Sequence, residues 1–255
     1  MSLTAESLSA LYEGNEVQEW KDASGNGRDV YAGIHGKPIY RKASWDPEIS
    51  VVQFGHQRFG YYNESQLISC LTTKYLYPVS TSGTYVAVIS VSANADLWDL
   101  IAAASQDRYW SIRLDCYDWY ARYKCQLVMQ LLNVSEIRID VETNTPHIVI
   151  ARVGYENKRS YLWIWDIKRM KWSGKKETTS KGIPSGNNGA IIIGHCTPIE
   201  KRMFKGEIAE FSLWDKFLSD SEVEDLVQEY LKIFGNKEQE SKGNGFKYVT
   251  DKRIH

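Results

Sequence analysis

The sequence predicts an all-β sandwich or barrel closed by a single helix near its end. Three observations carry that prediction. Short segments alternate apolar and polar residues at period two along most of the chain. Clusters rich in Gly, Asn and Ser separate them at close intervals. One segment, Ser219 to Gly235, departs from the pattern and repeats its apolar residues at helical spacing. The 255 residues suit one large β domain or two small ones, and a hydrophobic content of 43% is enough for a sizeable core.

Early in the chain, WKDASGNGRD (Trp20 to Asp29) reads as a tight surface turn joining two strands. Gly25 and Gly27 supply positive φ without steric cost, and Asn26 tolerates the left-handed region. Asp22 and Ser24 are placed to bond nearby backbone amides and tighten the loop. Strands follow at TYVAVISV (Thr84 to Val91), YWSIRLDC (Tyr109 to Cys116), PHIVIARV (Pro146 to Val153) and SYLWIWD (Ser160 to Asp166). In the first of these, Tyr85, Ala87, Ile89 and Val91 share one face. AIIIG (Ala190 to Gly194) is short and apolar throughout, as for a buried strand, and EIAEFSLW (Glu207 to Trp214) is another strand. Trp163 and Trp165 read as core or sheet-face packing.

The helix carries its own punctuation. Ser219 is placed to cap it, and Glu222 completes a capping box. Leu218 and Val223 sit where a hydrophobic staple packs. Val223, Leu226, Val227, Tyr230 and Leu231 form one apolar stripe, expected to pack on a sandwich edge or on the first strand. Gly235 is expected to end the helix in a left-handed conformation. Residues 1–235 therefore form the domain, and residues 236–255 read as a polar tail.

Bulk properties exclude several classes. Net charge is −1, from 31 basic and 32 acidic residues, which offers no field for nucleic acid or an anionic membrane. No apolar run approaches the roughly 20 residues of a membrane-spanning helix. The opening MSLTAESLSALYEGNE lacks the basic and apolar regions of a secretory signal. The expectation is therefore a cytoplasmic or particle-associated protein, with an extracellular role left open. The four cysteines, Cys70, Cys116, Cys125 and Cys196, fit no zinc pattern and allow three pairings. Without a signal they are expected as free buried thiols.

WKDASGNGRD resembles the W-x-D-x-S-G-N-G-x-D signature of concanavalin A-like, laminin G-like jelly rolls. GTYVAVISV resembles an early core strand of that family, and TPHIVIARV followed by SYLWIWD resembles its mid-chain strands. The most specific match is FKGEIAEFSLWDKFLSDSEVEDLVQEYLKIFG. It resembles the family's usual ending, a G-x-I-A-E strand and then L-S-D-x-E opening a final helix. The resemblance brackets Trp20 to Gly235. It implies a two-sheet antiparallel β-sandwich, the concanavalin A-like jelly roll, with one C-terminal helix. Such domains serve as lectins, carbohydrate-binding modules, adhesion modules, enzymes and spacers. The resemblance also implies calcium at a rim as a cofactor, for which Asp22, Asp29, Asp96, Asp99 and Asp118 are available carboxylates.

Candidate chemistry falls on two stretches. DCYDWYARY concentrates rings and carboxylates at an expected hairpin tip. Sugars stack their C–H faces on such rings while polar groups fix orientation. Asp115, Tyr117, Asp118, Trp119, Tyr120 and Tyr123 are the predicted ligand-binding residues. The second stretch is SEIRIDVE (Ser135 to Glu142), with Glu136, Arg138, Asp140 and Glu142 on one strand face. Jelly-roll glycosidases carry Glu-x-Asp-x-Glu on such a strand, with two carboxyls about 5 Å apart. Here Arg138 stands where the assisting aspartate belongs, and the stretch reads as a self-neutralising solvated face.

The resulting expectation is non-enzymatic recognition of a glycan or glycoprotein surface, with no nucleic-acid partner and no membrane insertion. The first alternative is a structural module of a virion, fibre or surface coat that makes protein–protein contacts. A glycoside hydrolase is the disfavoured third.

Overall fold

The computed structural model describes residues 1–33, 36–55, 69–78, 82–93, 95, 97–104, 110–118, 123–131, 135–154, 158–179, 188–194 and 204–235. The strands in chain order begin with β1 (Ser2–Thr4), β2 (Glu19–Trp20), β3 (Val30–Ala32), β4 (Ile39–Lys42), β5 (Ser50–Phe54) and β6 (Cys70–Thr73). Next come β7 (Tyr77–Pro78), β8 (Gly83–Val91), β9 (Leu97–Ala104), β10 (Trp110–Asp118), β11 (Tyr123–Leu131) and β12 (Ser135–Val141). The last are β13 (Pro146–Gly154), β14 (Arg159–Asp166), β15 (Lys171–Thr179), β16 (Asn188–Gly189), β17 (Ile191–Gly194) and β18 (Gly206–Trp214). A short 3₁₀ turn (Ala5–Leu8) follows β1, and α1 (Asp220–Phe234) follows β18.

Two antiparallel sheets stack as a sandwich. The first runs β15-β14-β13-β8-β18-β5-β4, with β1 also paired to β18. The second runs β12-β11-β10-β9-β17-β6-β3-β2. β7 and β16 form a separate two-stranded pair. The alternation read from the sequence sorts the side chains between layers. Tyr85, Ala87, Ile89 and Val91 of β8 face the core between the sheets, with Val149 and Ala151 of β13. The second sheet contributes Ile112, Leu127, Met129, Ile137 and Ile193 to the same core.

Many intervening residues of the first sheet are also apolar. Val86, Val88, Ile148, Ile150 and Ala209 point away from the sandwich core, where α1 covers them with Val223, Val227, Tyr230 and Phe234. The helix therefore lies across the outer face of the first sheet, not on an edge or on the first strand as expected. The reason is the double-sided apolar content of β8 and β13, which leaves a face that water must not reach. Each buried helix side chain contributes about 2 kcal/mol.

The start of α1 forms as its sequence predicts. The Ser219 side chain accepts from the Glu222 amide at 3.3 Å, and the Glu222 carboxylate accepts from the Ser219 amide at 2.7 Å. A bond from Lys216 and the bonds from Ser219 hold Glu222 down to about 2. The end of α1 does not match. Gly235 is extended (φ −76°, ψ 154°), not left-handed. Its amide still closes on Leu231 O at 2.9 Å. A Cβ at Gly235 would stand 2.3 Å from that oxygen, so close approach selects the glycine.

The WKDASGNGRD loop joins β2 to β3, which pair antiparallel. Gly25 and Gly27 adopt φ of +79° and +65°. Asp22 accepts from the amides of Ser2 (2.8 Å), Ser24 (3.0 Å) and Arg28 (3.1 Å) and from the Ser24 hydroxyl (2.6 Å). Burial pushes its carboxyl up, but these bonds outweigh burial and hold it below its usual value. Trp20 is fully buried and donates its indole N–H to Thr4 O at 2.8 Å. The loop thus ties β1 and β3 together, which is its structural purpose.

A further sequence expectation is overturned. Cys70 and Cys125 are not free thiols; both are disulfide-bonded and buried. Spacing along the chain did not show this, because the strands that bring cysteines together are neighbours only in the folded sheet.

Two outcomes test this layer of the fold. Asp22→Ala removes the acceptor of four hydrogen bonds and is expected to cost about 2–3 kcal/mol in urea unfolding. An unchanged midpoint would mean that the glycines alone hold the loop. A chain ending at Asp215 loses α1 and exposes the outer apolar face. It is expected to bind a hydrophobic dye strongly and to elute as aggregate on size exclusion, whereas a monodisperse two-state product would show the helix to be dispensable.

Candidate recognition hairpin

β10 and β11 form the hairpin that carries the predicted ligand-binding residues. Their register pairs Asp115 with Gln126, Tyr117 with Lys124 and Asp118 with Tyr123. Trp119 and Tyr120 lie outside the described residues. Opposed residues of an antiparallel pair share a face. Ile112, Leu127 and Met129 face the inter-sheet core. The positions of Asp115 and Tyr117 therefore fall on the outward face, while Asp118 and Tyr123 form the last rung on the opposite series. The predicted set is brought to one end of one hairpin and is divided between its two faces.

The outward face holds more than the sequence reading assembled. Gln126 pairs in register with Asp140 of β12 and donates to its carboxylate at 2.6 Å. Asp115, Gln126 and Asp140 thus form one rung across three strands, beside the Tyr117–Lys124 rung. The alternation in SEIRIDVE was the available signal, but only register could align it with DCYDWYARY. The carboxylates of β12 and its flank are held by neighbours. Arg138 donates to Glu136 at 2.7 Å, and Arg169 pairs with Glu142. That arrangement matches the self-neutralising face expected for this stretch.

A different aromatic group stands at the opposite end of the same sheet. β3 runs parallel to β10 through the alternating pairings of β6, β17 and β9. The β2–β3 loop and the segment after β6 therefore lie at the far end from the hairpin tip. There Tyr75 is 63% exposed and Leu76 is 66% exposed. Tyr77 donates to Gly27 O at 2.9 Å, and Arg28 stacks over its ring at 5.4 Å. The same arginine pairs with Asp215 at 2.9 Å. The sequence reading passed over this group.

The tryptophans of SYLWIWD pack, as expected. Trp163 meets Trp172 edge-on with centroids 5.4 Å apart, and Trp165 meets Trp172 at 5.0 Å. Calcium has no visible seat at the loop carboxylates. Asp22 is committed to amides, and Asp29 accepts from the Asp22 amide at 2.8 Å. Among the described residues, no group of three or more His, Cys, Asp or Glu is arranged to hold a metal. Asp96 and the side chains of Asp99 and Asp118 lie outside the described residues.

A cavity of about 420 Å³ opens between the 3₁₀ turn, the loop after β4 and the last turn of α1. Glu6, Asp46, Ser50, Glu210 and Phe234 are among its lining residues. Its carboxylates serve the fold. Glu6 accepts from the Ser50 hydroxyl at 3.1 Å, and Asp46 accepts from the Glu48 amide at 2.9 Å. Burial raises the Glu210 carboxyl, against hydrogen bonds from Tyr230 (2.6 Å) and Ser212 (3.1 Å).

His147 is a further buried titratable group. It is 1% exposed, and neither ring nitrogen has a hydrogen-bond partner. Burial lowers its pKa below 6.5, and the Asp166 charge opposes that shift. No helix among the described residues is long and apolar enough to cross a membrane.

With this geometry in view, the fold is a two-sheet antiparallel jelly-roll β-sandwich with one C-terminal helix. No protein-family model matches the chain, and neither does any curated sequence. Among solved structures the chain is similar to full-length tailspike protein 2 of an Escherichia coli O157:H7 bacteriophage, with 13% identity and a TM-score of 0.57. That match covers 91% of this chain and 30% of the tailspike. The binding domain of botulinum neurotoxin serotype D matches at 11% identity and a TM-score of 0.55, over 91% of this chain and 51% of that one. Domain 4 of AbnA, an extracellular arabinanase from Geobacillus stearothermophilus solved with arabinotriose, matches at 13% identity and a TM-score of 0.53. It is covered over 99% of its length, by 84% of this chain.

His147 yields a prediction with a defined sign. Its neutral form is favoured by the fold, so the unfolded chain binds the extra proton below pH 6.5. Stability is complete above that value and falls as pH drops through the lowered folded pKa, by at most about 1.4 kcal/mol per pH unit. Glu210 acts in the opposite sense nearer its own ordinary value, since protonation relieves its burial. Urea titrations at stepped pH are expected to show a shallower acid slope in His147→Gln than in the parent. Parallel slopes would remove His147 as the source.

Proposed function

We propose that the protein is a carbohydrate-recognition module that binds through the β10–β11 hairpin. The observation that carries this reading is the hairpin's outward face. There the Asp115, Gln126 and Asp140 rung lies beside the Tyr117 position, and Trp119 and Tyr120 follow next in the sequence. A ring with hydrogen-bonding groups at its side is what a sugar requires, because its C–H face stacks and its hydroxyls need fixed partners. The likeness to an arabinanase domain solved with arabinotriose supports the same reading, since nearly the whole of that domain is matched. Calcium enters this reading only if ligand binding depends on it.

A second reading rests on a different observation. The chain matches a tailspike over most of its own length and a minor part of the tailspike's. Tyr75 and Leu76 expose apolar surface at the end remote from the hairpin. A structural module within a larger assembly would use that end for protein–protein contact.

A broad glycan array, run with calcium and then with chelator, separates the two. Specific hits support recognition, and their loss on chelation places a metal in the site. A blank array in both conditions moves the weight to assembly. For any glycan that binds, Trp119→Ala is expected to reduce affinity at least tenfold with the melting temperature nearly unchanged. A large drop in melting temperature would instead identify a packing tryptophan.

A further inference from the structure

We infer that Cys116 and Cys125 form a disulfide that closes the base of the recognition hairpin, and that the protein is built to fold in an oxidising compartment. The functional half of this inference rests on the hairpin reading above; the covalent half does not. Cys125 is disulfide-bonded and 3% exposed. Its register partner is Cys116. Directly opposed Cα atoms in antiparallel strands stand about 4.5–5.5 Å apart. A disulfide spans about 4.4–6.8 Å between Cα atoms. Cys125 also continues the core-facing series of Leu127 and Met129, so the opposed position of Cys116 belongs to that same side.

The other pairings fail on distance. Cys70 begins β6, and the sheet order from β11 to β6 is β11-β10-β9-β17-β6. Four strand spacings of about 4.8 Å put Cys70 roughly 19 Å from Cys125, and three put it roughly 14 Å from Cys116 on β10. Cα atoms more than about 7 Å apart cannot be bridged without moving the backbone. Cys70 is itself disulfide-bonded, and its register partner is Gly194. Cys196, two residues further on, is the cysteine left for it.

The chemistry needs an external acceptor. Two thiols give up two protons and two electrons, an S–S bond forms, and the acceptor disulfide of an exchange catalyst leaves as a dithiol. Such acceptors dominate outside the reducing cytosol. The closed loop from Cys116 to Cys125 contains Tyr117, Asp118, Trp119, Tyr120 and Tyr123. Backbone pairing ends at the Asp118–Tyr123 rung, two rungs beyond the staple. The covalent tie therefore fixes the strands where the proposed binding residues begin, and strands fixed in advance lose less entropy on binding.

The test uses the full-length protein after alkylation of free thiols, digested without reductant and mapped by mass spectrometry. A linked peptide pair carrying Cys116 and Cys125 is expected, with Cys70 linked to Cys196. Alkylated Cys116, or its linkage to any other cysteine, overturns the assignment. Amide exchange then reads the hairpin with no ligand present. Residues 117–123 are expected to exchange at least tenfold faster in the Cys116→Ser/Cys125→Ser double variant than in the oxidised parent. Exchange within twofold of the parent overturns the claim that the staple orders the hairpin. A blank glycan array together with the linked peptides would remove the recognition reading while the disulfide stands.

Discussion

A single guanidinium sets the terms for the outer layer of this sandwich. Arg152 sits near the C-terminal end of β13 at 1% exposure, on the outer face of the first sheet. A buried charge without partners costs several kcal/mol, so its surroundings must compensate. Its Nη1 donates to Leu218 O at 3.0 Å and to Asp220 at 2.6 Å. Nε and Nη2 find no acceptor, but the flat group lies over Trp163 at 4.2 Å, Tyr161 at 4.6 Å and Phe217 at 5.3 Å. Ring faces thus stand in for the missing hydrogen bonds. Both of its direct acceptors belong to the segment that opens α1, so compensating the charge also fixes where the helix begins.

The link before α1 is stitched at a second point. Thr84 donates to Lys216 O at 2.9 Å and accepts from the Leu218 amide at 3.0 Å. Thr84 and Arg152 are opposed in the β8–β13 register. The two polar residues stand side by side on the outer face, at the place where the chain crosses over it. The capping box then satisfies the first helical amides without help from the sheet. The helix covers the outer face in one position because its entry point is chemically marked.

Much of this was legible in the residues. Period-two alternation identified β8, β13, β14 and β18, and the cap of α1 followed from Ser219 and Glu222 alone. These are local properties, set by neighbours within four residues. The placement of α1 was not legible, because it depends on Val86, Val88, Ile148 and Ile150 forming one surface across strands distant in sequence. The role of Gly235 was misread for a related reason. A glycine after a helix signals a left-handed turn or a close approach with equal force, and only the Leu231 carbonyl at 2.3 Å from its absent Cβ decides between them. Arg152 gave no sign at all, since a charged residue at a strand's outward position reads as solvated.

The hairpin shows the same boundary between local and long-range information. Sequence expected rings and carboxylates at its tip, and the register brings the positions of Asp115, Tyr117, Asp118 and Tyr123 to that end of β10 and β11. Sequence could not show that Asp140, on one strand face with Glu136 and Glu142, also stands in the rung of Asp115 and Gln126. Nor could it show that Cys125 is bonded. Both facts depend on β10, β11 and β12 lying side by side in one register. A slip of one residue would turn Asp115 and Tyr117 inward and carry Leu127 and Met129 out of the core. The core therefore specifies the register, and the register specifies which polar groups the hairpin presents. Whatever this face binds, its pattern of donors and acceptors is fixed by the packing of the apolar residues behind it.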